Sequence, residues 1–122
     1  MSEARFQGIL IEELPILAVD WIHRAEHIRT RSTRRRGDLD VEPGWATEAA
    51  LDPDRLVDVA GEGSIVVLGS CERTGSVLKV WLVPKDDMPT SGEWWGASAC
   101  VANERNVRDY EQQRRGDEGH SQ

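Results

Sequence analysis

Two apolar runs flanking a short polar segment constrain this chain more than any other feature: SIVVLGS at 64–70, CERTG at 71–75 and SVLKVWLVP at 76–84. Both runs are rich in β-branched and aromatic residues and are bounded by Gly and Ser, which is the pattern of a β-hairpin. In the second run Val77, Lys79, Trp81 and Val83 alternate with Ser76, Leu78, Val80 and Leu82. One face of that strand is therefore wholly apolar above Ser76, while the other mixes apolar groups with one lysine. Pro84 and the KDDMPTSG segment end the hairpin and lead to a third strand, Glu93 to Ala99, which feeds almost without a loop into a polar helix capped near Asn103. Adjacent Trp94 and Trp95 point to opposite faces of that strand, so either one lies in the core and the other is open to a base or a partner's groove, or flanking helices bury both.

Upstream the pattern turns helical. Asp20 is placed to cap a helix in which Trp21, Ile22, Ala25 and Ile28 recur at three- and four-residue spacing, with His23 and His27 one turn apart on one face. Pro43 opens a second, short helix through Trp45, Ala46, Ala49, Ala50 and Leu51, and Asp52-Pro53 stops it, because the residue before proline is pushed out of the α region. Leu56, Val57 and Val59 form a short apolar piece. The first twenty residues fit neither period, and Pro15 excludes one continuous helix, so they either pack on the core or form an extension.

At 122 residues the chain is expected to be one domain, since a core of this size buries about 65% of the unfolded chain's surface. Helices followed by strands followed by a helix predict an α+β fold: N-terminal helices packed on an antiparallel sheet of at least three strands, and a closing C-terminal helix. The domain is expected to span 1–115, with 116–122 a disordered tail. No apolar run approaches a membrane span and no secretory leader is evident, so a cytoplasmic location is expected. Cys71 and Cys100 form no Cys-x-x-Cys pair and read as two partly buried thiols. No cofactor is expected, and no metal, because the two histidines lack an HExxH pattern or a third ligand.

The formal net charge is −7, yet between Ile22 and Arg36 six arginines (Arg24, Arg29, Arg31, Arg34, Arg35, Arg36) face only Glu26. The run from Arg29 to Arg36 is either a solvated loop or a patch for phosphate or an acidic partner, acting within a Debye length of about 8 Å.

The stretch from Glu93 to Tyr110 resembles the C-terminal signature of the BrnT family, small toxins of bacterial toxin–antitoxin pairs with a RelE-like fold. Ser98, Ala99, Ala102, the capping Asn103, Arg108 and Tyr110 fall at the matching distances, while Cys100 stands where that pattern has arginine and Asn106 where it has glutamate. The helix at Trp45-Ala46-Thr47-Glu48-Ala49, the turn at Asp52-Pro53 and the hairpin with Gly69 and Gly75 are also similar, so the resemblance covers about Ile22 to Arg115. It implies a metal-independent ribonuclease. Such an enzyme must deprotonate a 2′-hydroxyl, stabilise charge on the phosphorane and protonate the leaving oxygen. Arg73, Lys79, Arg105, Arg108 and Tyr110 are the catalytic candidates, and Arg29, Arg31, Arg34, Arg35, Arg36 and Trp95 the RNA-binding ones. The resemblance implies RNA and an antitoxin as partners, the latter in a heterotetramer. The residues themselves also fit a catalytically silent module that engages an acidic or amphipathic protein partner through Trp and Arg side chains. Convergence or scatter of Arg73, Lys79, Arg105 and Arg108 separates the two readings.

Overall fold

The computed structural model describes residues 4–34, 39–61, 63–85 and 91–119. In chain order the elements are β1 (Arg5–Phe6), β2 (Ile9–Leu10), a 3-10 turn (Ile11–Glu13), β3 (Ala18–Asp20), α1 (Ala25–Arg29), α2 (Arg31–Arg34) and α3 (Pro43–Ala50). There follow β4 (Leu56–Gly61), β5 (Ser64–Cys71), β6 (Ser76–Pro84), β7 (Glu93–Val101) and α4 (Glu104–Gly119). The main sheet has the order β3-β7-β6-β5-β4. Its β4 to β7 part is an antiparallel meander, and β3 joins β7 in parallel, Val19 lying opposite Trp94. The fold is thus α+β, with helices packed on a mostly antiparallel five-stranded sheet and a closing C-terminal helix. No helix among the described residues is long and apolar enough to cross a membrane.

The alternation along the hairpin decides which face is the core. Ile65, Val67, Leu78, Val80 and Leu82 are buried on the face that α3 covers. That helix can lie close because Ala46, Ala49 and Ala50 present only methyl groups, all fully buried. The approach is closest at Gly69, where a Cβ would sit 1.8 Å from the Ala49 carbonyl oxygen. Glycine is required here by backbone contact rather than by a turn.

A register shift in β7 keeps its large residues on the right sides. Trp81 pairs with Ser98 but Leu82 with Gly96, so Ala97 is an extra residue, a β-bulge. Trp94 and Ala99 are five apart and would face opposite ways in a regular strand; the bulge returns both to the core, where each is fully buried. Trp95, Ser98 and Cys100 then occupy the second face with Lys79, Trp81 and Val83.

One expectation changes upstream, and one open alternative is decided. Asp20 caps no helix: it ends β3, its Oδ1 accepts the Ile22 N–H at 2.9 Å, and helix begins only at Ala25. Trp21 explains this. Its ring lies under Gly96, where a Cβ would come within 2.3 Å of the indole, and its Nε1–H donates to Thr47 Oγ1 at 3.1 Å. Holding that ring between sheet and α3 fixes the local backbone and overrides the helical spacing. Of the first twenty residues, those described pack on the core: Phe6, Ile11, Leu14 and Ile16 are buried, and Trp94 Nε1–H donates to the Pro15 carbonyl at 2.9 Å. The apolar piece at Leu56 to Val59 is β4.

α4 starts as expected, with Asn103 Oδ1 accepting the Asn106 N–H at 2.8 Å, but its backbone stays helical to Gly119, and 120–122 lie outside the described residues. Of the side chains described on it, only Tyr110 is buried.

Gly69→Ala is expected to destabilise the chain by about 3 kcal/mol or more, because the added methyl meets backbone that cannot swing aside. Urea unfolding followed by tryptophan fluorescence measures this.

Candidate partner-binding face of the sheet

The five catalytic candidates lie on different surfaces. Arg73, in the hairpin turn, leans to the α3 side: its Nε is 3.1 Å from Glu48 Oε1 and its Nη2 3.4 Å from the Gly44 carbonyl. Arg73 first, and the Glu72 N–H second, hold the Glu48 carboxyl below the usual carboxylate range. Arg73 therefore ties the turn to α3. Lys79 emerges on the opposite face of the sheet, its Nζ 5.2 Å from the Trp81 ring centre. Arg105 and Arg108 are exposed on α4. Tyr110 is buried and donates its hydroxyl to Asp52 Oδ2 at 2.5 Å, an oxygen that also accepts the Ser70 N–H at 2.8 Å. Burial, then the Asp52 hydrogen bond and charge, push the phenol well above its ordinary pKa. It is a fixed donor, not a base.

The RNA-binding candidates divide similarly. Arg29 pairs with Glu42 at 3.1 Å and Glu26 at 3.7 Å, and Arg34 donates to Thr30 Oγ1 at 2.9 Å and to the His27 carbonyl. Arg31 reaches the sheet instead, its Nη1 3.3 Å from Ser98 Oγ. Arg35 and Arg36 lie outside the described residues. Trp95 sits on the second face with Lys85 Nζ 4.3 Å from its ring centre and the His23 ring at 4.9 Å. His23 and His27 do not share a helical face, since His23 precedes α1. Burial, then Arg34, Arg24 and Arg31, lower the His27 pKa. Among the described residues no group of three or more His, Cys, Asp and Glu side chains could hold a metal ion.

What these positions do assemble is one face of the sheet. α4 leaves β7 with the Ala102 N–H donating to the Val77 carbonyl at 2.9 Å, is pinned at Tyr110 beside Ser70 of β5, and ends its described ion pairs at Arg114–Asp54, 3.6 Å, just before β4. It thus crosses one end of the second face from β7 toward β4, and away from it Trp81, Val83 and Trp95 are only partly covered. Beside it runs a cleft of about 810 Å³ with Leu56, Val66 and Leu68 as apolar floor. Its cations are Lys79 and Arg55, and its carboxylates Glu12, Asp58 and Asp109.

Toward β7 the same face changes character. Trp81, Val83 and Trp95 form an apolar strip that is only half covered, with Val83 36% exposed. Lys79, Lys85 and Arg31 stand at this end. Lys85 also pairs with Asp20 at 3.0 Å, and the Ile22 N–H and then Lys85 lower the Asp20 pKa. The face is consequently aromatic with charges of both signs over β6 and β7, where Asp20 and Glu93 accompany Lys79, Lys85 and Arg31, and carboxylate-rich over β4 and α4.

Sequence reading placed Lys79, Trp95 and Arg31 among functional residues but not Lys85, Asp58 or Asp109. The alternation of β6 could have been extended to β4 to find Asp58. Lys85 and Asp109 depend on how β3 and α4 dock, which no local pattern reports.

Tyr110 is the only tyrosine, so phenolate absorbance near 295 nm reports it alone. The folded chain is expected to show no phenolate at pH 10 to 11, whereas urea-unfolded chain titrates near the ordinary value of 10.0. Because the folded pKa is raised, the stability that this group contributes is complete below pH 10 and falls as pH rises above it. Tyr110→Phe removes that alkaline dependence and costs about 1–2 kcal/mol at pH 7. Comparison with protein-family models, curated proteins and solved structures finds no match to this chain.

Proposed function

We propose that this chain is a protein-binding module that receives an amphipathic partner on the open face of its sheet, rather than a ribonuclease. The observation that carries this reading is the half-covered strip of Trp81, Val83 and Trp95, bordered by Lys79, Lys85 and Arg31, on a face that α4 covers only at one end. Half-buried tryptophans ringed by charged groups supply what protein interfaces concentrate their energy in: large rigid apolar area at the centre, with charges outside that steer and orient.

Four features weigh against the ribonuclease reading. Arg73 and Lys79 project from opposite sides of the sheet, so the candidate cations do not converge on one phosphate. Tyr110 spends its proton on Asp52. The concavity containing Lys79 holds three carboxylates against two cations, which repels a polyanion where a nuclease must attract one. Trp95 already has His23 and Lys85 against its ring, which disfavours it as a platform for a stacked base.

The purified chain is expected to leave a structured RNA intact on prolonged incubation, and its induced expression in a bacterial host to leave growth and RNA unchanged. An amphipathic peptide carrying acidic residues should shift the tryptophan fluorescence, and Trp81→Ala should weaken that binding about tenfold or more. RNA cleavage abolished by Lys79→Ala or Arg108→Ala would instead establish the nuclease.

A further inference from the structure

The two edges of the sheet differ. At one edge β3 contributes only three residues; at the other stands β4, paired with β5 on its inner side and, among the described residues, with no strand on its outer side. The hydrogen bonds of β4 tell which of its main-chain groups face outward. Val59 N–H donates to Asp58 Oδ1 at 2.8 Å, so it is turned away from the β5 ladder. Antiparallel pairing alternates between residues that bond the neighbouring strand and residues that do not, which puts Val57 in the same outward phase as Val59. In that phase the Val57 N–H and the carbonyls of Val57 and Val59 point out of the sheet, and no hydrogen bond from another element reaches them among the described residues. The straight edge ends at Ala60, the extra residue where the register shifts between Val59 and Gly61.

This edge lies in a slot. The cleft beside α4 is lined by Arg55, Leu56, Val57 and Asp58 in succession. Successive side chains of a strand point to opposite faces, so a cleft that touches all four follows the edge of β4. On one side stands α4, with Asn106, Asp109 and Gln113 at three- and four-residue spacing; on the other stand Glu12 and Leu14. An extended residue in a packed sheet occupies about 4.8 by 10 by 3.4 Å, or about 160 Å³. The cleft, about 810 Å³, therefore takes about five residues, close to the run from Leu56 to Ala60.

The charge around that run is chiefly negative. Glu12, Asp58 and Asp109 line the cleft and form no ion pair among the described residues. Of its two cations, Arg55 is turned to the Asp52 carbonyl at 3.2 Å. Lys79 belongs to β6, two strand spacings or about 10 Å inside β4, with its ammonium toward Trp81. We infer that the outer edge of β4 receives an extended basic segment of a partner protein as a further strand of the sheet. The main chain of Val57 and Val59 pairs with it, and Glu12, Asp58 and Asp109 meet its basic side chains. This docking place is separate from the strip of Trp81, Val83 and Trp95 and does not depend on it. A second copy of the chain fits poorly. In the register that pairs Val57 with Val59 across a twofold axis, Asp58 faces its own counterpart, and the walls of the two slots collide. The carboxylate that bars a like strand selects a basic one.

Short labelled peptides of about eight residues, alternating valine with lysine or valine with glutamate, test this against the full-length chain by fluorescence anisotropy. The lysine peptide is expected to bind about fivefold or more tighter than the glutamate peptide at low salt, with the gap narrowing as salt rises. N-methylation of consecutive central amides blocks both edges of the peptide without changing its charge, and should weaken binding about tenfold or more. Asp58→Lys should turn the preference toward the glutamate peptide, whereas Trp81→Ala should leave the binding as it is. Val57→Pro removes an outward N–H and leaves the β5 ladder in place, so it should abolish binding. Far-UV circular dichroism reports whether that variant keeps its sheet, and the methylated peptide tests the same contact with the protein unaltered. A methylated peptide that binds as tightly as its parent overturns strand addition, and a glutamate peptide that binds as tightly as the lysine one overturns the basic partner. Failure of both peptides to bind, or loss of binding with Trp81→Ala, overturns the site. A concentration-dependent dimer in sedimentation velocity, abolished by Val57→Pro, would assign the edge to a second copy and overturn the inference.

Discussion

The contact between α3 and the hairpin governs the rest of the molecule. With Gly69 against the Ala49 carbonyl and three buried alanines along the helix, α3 lies flat on β5 and β6, and Ile65, Val67, Leu78, Val80 and Leu82 are buried on the face it covers. A large-to-small change at a fully buried aromatic such as Trp94 typically costs about 3–5 kcal/mol. An ion pair exposed to water, such as those of Arg29, contributes far less. Burial on the α3 face therefore decides the register, and the second face takes whatever side chains the pleat leaves over.

That residue of the pleat is what lines the second face. Because β6 alternates, seating Leu78, Val80 and Leu82 in the core obliges Lys79, Trp81 and Val83 to face the other way. The Ala97 bulge extends the same consequence to β7, placing Trp95 beside Val83 while Trp94 remains buried. A regular strand would have forced a choice between burying Trp94 and burying Ala99. The bulge removes the conflict and leaves a tryptophan outside.

How much of this could be read from residues alone follows from the range of the interactions. The hairpin, β7 and α3 are written in periods of two, in Pro43 and in Asp52-Pro53, all within a few residues, and they were legible. β3 was not. Its three residues pair with positions 93 to 95, and no local pattern in Ala18 to Asp20 announces a parallel partner some 75 residues away. The helix expected from Asp20 fails for a related reason: Trp21 answers to Gly96 and Thr47, not to its neighbours on a helical wheel. Asp52 was legible as a helix stop, but its second role, receiving Tyr110 and the Ser70 N–H, joins residues 58 and 18 apart. The make-up of the second face is longer in range still, because it needs the register of β4 on β5 and the docking of α4 at once.

A chain with a formal charge of −7 would be expected to repel an acidic partner, and its arginines would be expected to do the recruiting. The structure distributes these roles differently. Arg29 and Arg73 are committed to Glu42, Glu26 and Glu48, where they hold the chain's own elements together. Lysines stand over the half-buried Trp81 and Trp95 instead. An ammonium beside an indole keeps its charge available at the rim of the apolar strip while its methylene stem covers part of the ring, so one side chain both shields the tryptophan from water and can turn to meet an incoming carboxylate. At separations beyond about 8 Å the rest of the chain's negative charge is screened, and recognition is decided by groups within that radius. Lys79 is within that radius for any group that touches Trp81, and Lys85 for any group that touches Trp95.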